Sequence, residues 1–255
     1  MGFELPQVPA GSGAHPIALV VISANDAAAS GDFYTRVFGW QLQKMSAELT
    51  GVMTPAGPTA ALRSGVPEGF PGMVPYIQVP DVAAMLERVV ASGASVEKTA
   101  WSIPGVGTLA RFKDPSGTIY GLTNAQSPVP APRIPTPLAS NPRPPAGALC
   151  SLEMHAADGA AAARFFGDLF GWGTLETMPH YMGFDPGAGV GGVFQSHTPS
   201  LPALPYIYVE DVAATLAEID TAGGKRLAEP MPLGDAGCFG YFKDPSGVSM
   251  GLIGR

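Results

Sequence analysis

The sequence predicts an α+β protein of two domains made by internal duplication, and three observations carry that prediction. A hexapeptide occurs twice. Phe112-Lys113-Asp114-Pro115-Ser116-Gly117 returns 130 residues later as Phe242-Lys243-Asp244-Pro245-Ser246-Gly247, in a chain with only five lysines. Other blocks repeat in the same order. Tyr34 to Trp40 matches Phe166 to Trp172 and Asp26 matches Asp158 at an offset of 132, while Pro75-Tyr76-Ile77 matches Pro205-Tyr206-Ile207 and Asp81-Val82-Ala83-Ala84 matches Asp211-Val212-Ala213-Ala214 at 130. Within each copy, short apolar runs alternate with helix-length segments that open on an Asp. A period this long means two copies of a domain, not a solenoid.

Taken in order, residues 1–14 are rich in Gly and Pro and read as a loose N-terminal arm. Ile17 to Ile22 is a continuous aliphatic run, a strand by length and content. Asn25 and Asp26 supply a cap for a helix over Ala27 to Phe38, which Gly39 ends. Trp40 to Met45 and the Gly/Pro-punctuated stretch to Arg63 suggest short strands. The pattern then restarts. Val74 to Val79 is a strand, Asp81 caps a helix to about Ser92, and Gly93 stops it. Strands at Val96 to Glu97, Thr108 to Phe112 and Thr118 to Leu122 finish the half. The last two flank Asp-Pro-Ser-Gly, a tight turn in which Pro presets φ, Asp bonds the backbone beyond it and Gly accepts φ > 0.

Residues 125–148 hold eight prolines and read as a semi-rigid linker. It separates a first domain at 15–124 from a second at 149–255. The second half repeats the plan. A strand at Leu149 to His155, a helix at Gly159 to Phe170, a strand at Tyr206 to Val209 and a helix at Val212 to Ala222 precede a final hairpin.

Composition excludes several classes. With 46% hydrophobic and 14% charged residues the chain builds real cores. A net charge of −7 without any Lys/Arg cluster argues against nucleic acid and anionic membranes as partners. No apolar run reaches the length of a membrane span, and no basic-then-apolar leader opens the sequence, so a cytoplasmic location is expected. Two cysteines, Cys150 and Cys238, are too few for a disulfide framework and are read as reduced thiols.

The Asp26 helix with its Phe33 to Trp40 end, the strand-to-helix step Val79-Pro80-Asp81-Val82, the Asp-Pro-Ser-Gly hairpin, and the second copies of all three resemble the vicinal-oxygen-chelate superfamily. That superfamily holds glyoxalases, bleomycin-resistance proteins and extradiol dioxygenases. The resemblance covers nearly the whole chain except arm and linker. It implies four βαβββ units, paired into two glyoxalase-like domains, each a curved mixed sheet around a cavity with helices outside. It also implies a metal held by a His on the first strand, a His on the strand opening the second unit and a Glu at the end of the last strand.

Mapped by spacing from the capping and turn aspartates, those places carry Leu19, Val74 and Gly121 in the first half and Ser151, Leu204 and Gly251 in the second. Leu, Val and Gly side chains offer a divalent cation no donor. No metal and no other cofactor is therefore expected.

Side chains two apart on a strand share a face, so the inward rows follow from those positions. In the first half they read Leu19, Val21, Ser23 and Val74, Tyr76, Gln78; in the second, Ser151, Glu153, His155 and Leu204, Tyr206, Tyr208. The second half has gained a carboxylate, an imidazole and phenols at inward places. Glu153 and His155, about 7 Å apart along one strand face, are the candidate acid–base pair. Ser151, Leu204, Tyr206, Tyr208, Gly251, Tyr76 and Gln78 are the candidate ligand-binding residues. A bland alternative stays open, in which Glu153 and His155 form a satisfied pair between the halves or face outward after a one-residue register slip. Tyr76, equivalent to Tyr206, also fits a purely structural role. His180 and His197 fall in Gly/Pro-rich stretches and read as surface loop residues.

Two functions follow from this reading. One is a metal-free protein, monomer or homodimer, that binds a small, partly aromatic organic molecule in the second cavity, as bleomycin-resistance-type proteins do. The other is a cofactor-independent isomerase, lyase or cyclase in which Glu153 and His155 move the proton.

Overall fold

The structure, a computed structural model, describes residues 6–125, 143–197, 203–233 and 237–255. Most of the predicted linker, 126–142, lies outside the described residues. The first half contains β1 (Ile17–Ser23), α1 (Ala27–Phe38), β2 (Gln41–Lys44), β3 (Leu49–Thr54) and β4 (Gly57–Arg63), then β5 (Met73–Gln78), α2 (Val82–Ala91), β6 (Ser95–Ile103), β7 (Gly107–Lys113) and β8 (Ile119–Thr123). The second half contains β9 (Leu149–His155), α3 (Gly159–Phe170), β10 (Gly173–Met178), β11 (Tyr181–Asp185) and β12 (Gly192–Gln195), then β13 (Leu204–Tyr208), α4 (Val212–Thr221), β14 (Lys225–Arg226), β15 (Met231–Pro232), β16 (Cys238–Lys243) and β17 (Ser249–Gly254).

Each half makes one mixed sheet. The orders are β2-β3-β4-β1-β5-β8-β7-β6 and β10-β11-β12-β9-β13-β17-β16-β14, with β15 added on β16. The two units of a half join where their first strands pair antiparallel, β1 with β5 and β9 with β13. Both sheets are thus built from βαβββ units in an α+β fold.

Local chemistry fixes the four helices. The Asp26 carboxylate accepts from the Ala28 and Ala29 N–H groups at 3.0 Å, and Asp158 accepts from Ala160 and Ala161 at 2.8 and 3.0 Å. Asp81 and Asp211 each accept from one N–H, of Ala84 and Ala214. These bonds satisfy donors that the first turn of a helix leaves free. Gly39 and Gly171 end α1 and α3 at φ 69° and 70°, where a side chain would be strained. The repeated turn works as its residues predict. Asp114 accepts from the N–H groups of Ser116 and Thr118 at 2.9 Å, and Gly117 sits at φ 86°. Burial pushes the Asp114 carboxyl up to about 6, although the backbone donors oppose it.

One hydrophobic core runs through both halves. Phe33 and Phe38 of α1 lie 6.0 and 5.9 Å from Phe242 of the second sheet, and Phe165 of α3 lies 6.4 Å from Phe112 of the first. The two Phe-Gly-Trp tryptophans clasp the halves reciprocally. Trp40 Nε1 donates to the Gly147 carbonyl just before β9 at 2.7 Å, and Trp172 Nε1 donates to the His15 carbonyl just before β1 at 2.8 Å. Buried indole N–H groups need acceptors, and each finds one in the opposite half.

Three expectations change. The described part of the arm is not loose. Gly11, Ser12 and Gly13 donate to the carbonyls of Asp185, Gly171 and Pro186 in the second half. Its glycines let the backbone come close, since a Cβ at Gly11 would stand 2.5 Å from the Asp185 carbonyl oxygen. The strand expected at Val96 to Glu97 is longer, nine residues from Ser95 to Ile103, because pairing with β7 continues across two irregularities in register. His197 is not a remote loop residue, as the site shows.

Candidate functional site

β9, β13, β17 and β16 lie side by side in the second sheet. Leu204 stands opposite Glu153, Tyr206 opposite both Ser151 and Gly251, and Tyr241 on the other side of Gly251. The pleat puts these side chains on one face. The opposite face of β9 gives Leu152 and Met154 to the core beneath.

Glu153, 7% exposed, is a buried acid. Tyr206 donates its hydroxyl to Glu153 Oε2 at 2.8 Å, and the Tyr206 and Tyr241 hydroxyl oxygens are 3.1 Å apart. A phenol has one proton. With the Tyr206 proton on Glu153, Tyr241 donates to Tyr206 and keeps its lone pairs for a ligand. Burial raises the Glu153 carboxyl above its usual range; the Tyr206 hydrogen bond and the His197 imidazole oppose the rise. The Tyr206 hydroxyl is raised too, by burial first and then by Glu153 and Tyr241. Tyr181 extends the group, its hydroxyl raised by burial, Glu153 and Tyr241. Its ring meets His197 edge-on at 5.0 Å, with His180 5.5 Å from His197.

The structure brings together Glu153, Tyr206, Ser151, Leu204 and Gly251, and leaves other candidates elsewhere. Glu153 does not bond His155. Its partner is Tyr206, which stands diagonally across from it on β13, opposite Ser151. Diagonal cross-strand neighbours are within reach of a long aromatic side chain, and the phenol spans that gap. His155 lies at the junction of the halves. Its carbonyl accepts from Thr118 Oγ1 at 3.0 Å, and its Nδ1 is buried without a hydrogen-bond partner. Tyr208 goes to the far end of the pair, its N–H bonded to the Ala148 carbonyl, because β13 runs antiparallel to β9. Tyr208 and His155 are therefore separated by about six residues of strand, roughly 20 Å. In the first half, Tyr76 lies beside Arg111 and Arg63, whose charges oppose the burial that raises its hydroxyl. Gln78 is tied into the backbone, its Nε2 donating to the Ala125 carbonyl at 3.3 Å.

Tyr241, Tyr181, His197 and Arg111 escaped the sequence reading. A signal for two of them existed. Arg111 and Tyr241 occupy the same place, two residues before the lysine of the repeated hexapeptide, and differ there.

The places that correspond to metal ligands do not fit a divalent cation. A Cβ on Gly251 would stand 2.4 Å from the Tyr206 ring, and one on Gly121 would stand 2.2 Å from the Tyr76 ring. In both halves a tyrosine from the neighbouring strand covers the glycine where a carboxylate would have to emerge. Among the described residues no three His, Cys, Asp or Glu side chains converge as an ion requires.

This paired-sheet architecture with its covered concave face defines a class, and comparison with known proteins gives the class a name. The profile of the Glyoxalase/Bleomycin resistance protein/Dioxygenase superfamily matches residues 16–119 and 151–251. The chain belongs to that superfamily. It is 28% identical to CFP32 of Mycobacterium tuberculosis (strain CDC 1551 / Oshkosh), which bears a provisional glyoxylase name, over 92% of each chain. It is also 28% identical to the anthracycline biosynthesis protein DauV of Streptomyces sp. (strain C5), over 40% of this chain and 44% of that one. Among solved structures it resembles the 2,3-dioxygenase LapB of Pseudomonas sp. KL28, with TM-score 0.62 and 13% identity over 96% of this chain and 93% of that one. It likewise resembles the Mn(II)-bound glyoxalase of Novosphingobium aromaticivorans, with TM-score 0.59 and 15% identity over 93% and 81%. At such identities these two likenesses speak for the fold alone. No helix among the described residues is long and apolar enough to cross a membrane.

Proposed function

We propose that the protein is a metal-independent member of its superfamily that binds a small, partly aromatic organic molecule on the concave face of the second half. The observation that carries this reading is the row Glu153–Tyr206–Tyr241, which lies directly beside Ser151, Leu204 and Gly251, the places where relatives with metal would hold it. A carboxyl raised by burial, two linked phenols and the nearby Tyr181 and His197 make a surface that recognises polar groups on a planar molecule. The partial likeness to a protein named for anthracycline biosynthesis supports a small organic compound rather than a macromolecule as the ligand.

A second reading, a cofactor-independent isomerase, lyase or cyclase, is favoured by the raised carboxyl itself. A Glu whose pKa lies nearer neutrality is a better general base and, once protonated, a better general acid. Glu153 would take a proton from substrate carbon and return it at a second position. Once Glu153 has taken that proton it no longer needs the one from Tyr206, which frees the linked Tyr206 and Tyr241 hydroxyls to turn and donate to the charge that develops. In this reading Tyr206, not His155, is the partner of Glu153.

Thermal shift against a panel of planar aromatic phenols and ketones, before and after dialysis with a chelator, tests the proposal. At least one compound is expected to raise the melting temperature equally in both states, and Tyr206→Phe is expected to weaken that compound. Binding that disappears on chelation and returns with a divalent cation refutes the proposal. With a binding compound in hand, turnover that Glu153→Gln abolishes while affinity survives selects the enzyme.

A further inference from the structure

The first half has its own buried charge at the place equivalent to Tyr241. Arg111 of β7 is 6% exposed. Its Nε and Nη2 bond the two oxygens of Glu97 at 2.5 and 3.3 Å. Its Nη1 is buried and makes no hydrogen bond of good geometry, although the Tyr76 hydroxyl lies beside the guanidinium and interacts with it. Buried charged donors are nearly always satisfied, so one without a good bond asks for an acceptor. The guanidinium carbon lies 4.8 Å from the Phe70 ring centre and 5.4 Å from that of Trp101. Those two rings pack over an apolar cup of Leu19, Val21, Val74 and Leu109.

The charge around Arg111 agrees, and the nearest cleft reaches as far as Phe70, without Arg111 or Trp101 on its walls. Arg63 lies 5.8 Å from the Phe70 ring and Lys98 4.3 Å from the Trp101 ring. Three cations thus gather around two aromatic faces, with Glu97 the carboxylate bonded among them, in a chain of net charge −7. Beside Phe70 a cleft of about 580 Å³ opens between the halves, with Ser23, Gly72 and Val248 on its walls and Glu68 as its acidic residue. Phe70 belongs both to that cleft and to the cover of Arg111. It is carried on a loop that turns at Gly65 and Gly69, both at positive φ.

We propose that the concave face of the first half binds a small aromatic carboxylate, its carboxylate on the free Nη1 edge of Arg111 and its ring against Phe70 and Trp101. A guanidinium presents its donors as a planar fork that matches a carboxylate. Flanking rings favour a planar ligand over a bare anion. The site is separate from the Glu153 face and differs from it in sign, so the two halves of the duplication would read different chemistry.

Trp101 reports on this site, because Trp40 and Trp172 are buried in the core while Trp101 is half-exposed. Sodium benzoate is the probe, benzamide the neutral control of the same shape, and inorganic phosphate the anion without a ring. Benzoate is expected to quench Trp fluorescence saturably and to give matching heat by calorimetry. Benzamide and phosphate should bind at least about tenfold more weakly, as loss of a charge-assisted hydrogen bond or of the ring contact dictates. The variant Glu97→Gln/Arg111→Met, which removes both charges and strands neither, should bind benzoate about ten- to a hundredfold more weakly. Arg111→Lys, which keeps the charge without the fork, should also weaken it. Equal binding of benzoate and benzamide, equal binding of phosphate, unchanged affinity in a folded variant, or no saturable signal overturns the proposal. The comparison of ligands on the unaltered chain decides even where a variant fails to fold.

Discussion

Gly251→Ala adds one methyl group at the centre of the second sheet and tests how the concave face is filled. The new Cβ would stand 2.4 Å from Cδ1 and Cε1 of Tyr206 and 2.8 Å from Cζ. Carbon atoms rest at about 3.5–4 Å, so the ring must retreat by roughly 1 Å. Little space receives it. Tyr206 is 6% exposed, with the rings of Phe239 and Tyr241 edge-on at 6.1 and 6.2 Å. A retreat of that size breaks the 2.8 Å bond to Glu153. Overpacking costs about 1–3 kcal/mol and a lost buried hydrogen bond about 1 kcal/mol more. A penalty of about 3 kcal/mol lowers the melting temperature of a chain this size by about 6–12 °C. The assay is a double-mutant cycle by thermal unfolding with Tyr206→Ala. On the Tyr206→Ala background Gly251→Ala should cost almost nothing, because the ring it strikes is gone. A wild-type melting temperature for Gly251→Ala, or the same penalty on both backgrounds, refutes the claim that the Tyr206 ring covers Gly251, where a metal-binding carboxylate would have to emerge.

Glu153→Gln changes the pH dependence of stability with a definite sign. Burial raises the folded carboxyl, so between the unfolded and folded pKa values the native state holds the extra proton. Stability therefore falls as pH rises through that window and is flat above it. The wild type should lose stability relative to Glu153→Gln as pH rises from about 4.3, and urea unfolding that shows no such divergence contradicts the burial argument. Tyr34→Phe removes the hydroxyl that donates to Asp244 Oδ2 at 2.9 Å across the two halves. A cost of about 1–3 kcal/mol is expected, greater at pH 8 than at pH 5, since Asp244 is already raised by burial and then loses an opposing donor. Equal denaturation midpoints for wild type and variant would show that the bond adds nothing.

Much of the architecture is legible without coordinates because it is written in local chemistry. Asp26, Asp81, Asp158 and Asp211 announce helix starts, Gly39 and Gly171 announce helix ends, and Asp-Pro-Ser-Gly announces a turn. Spacing from these marks also finds the row Ser151, Glu153, Leu204, Tyr206, Gly251, because strand alternation is regular over so few residues. The partner of Glu153 was misread for a physical reason. Along the chain His155 is its nearest ionisable neighbour, but in a sheet the neighbour is across the strand, and Tyr206 is 53 residues away. Tyr181 reaches the same face from strand β11 and His197 from the segment after β12, strands whose order beside β9 no local signal gives.

The duplication, the four capped helices and the glycines at the places of metal ligands are properties of the chain read residue by residue. Which groups share a hydrogen bond is not. That Tyr206 lies over Gly251, that Tyr241 completes its row, that Arg111 is buried with a free nitrogen and that the tryptophans of each half clasp the other were decided only when two sheets closed on one core. Hydrogen bonds and burial act over a few ångströms of space, whatever the distance in sequence, and only the folded sheet sets those distances.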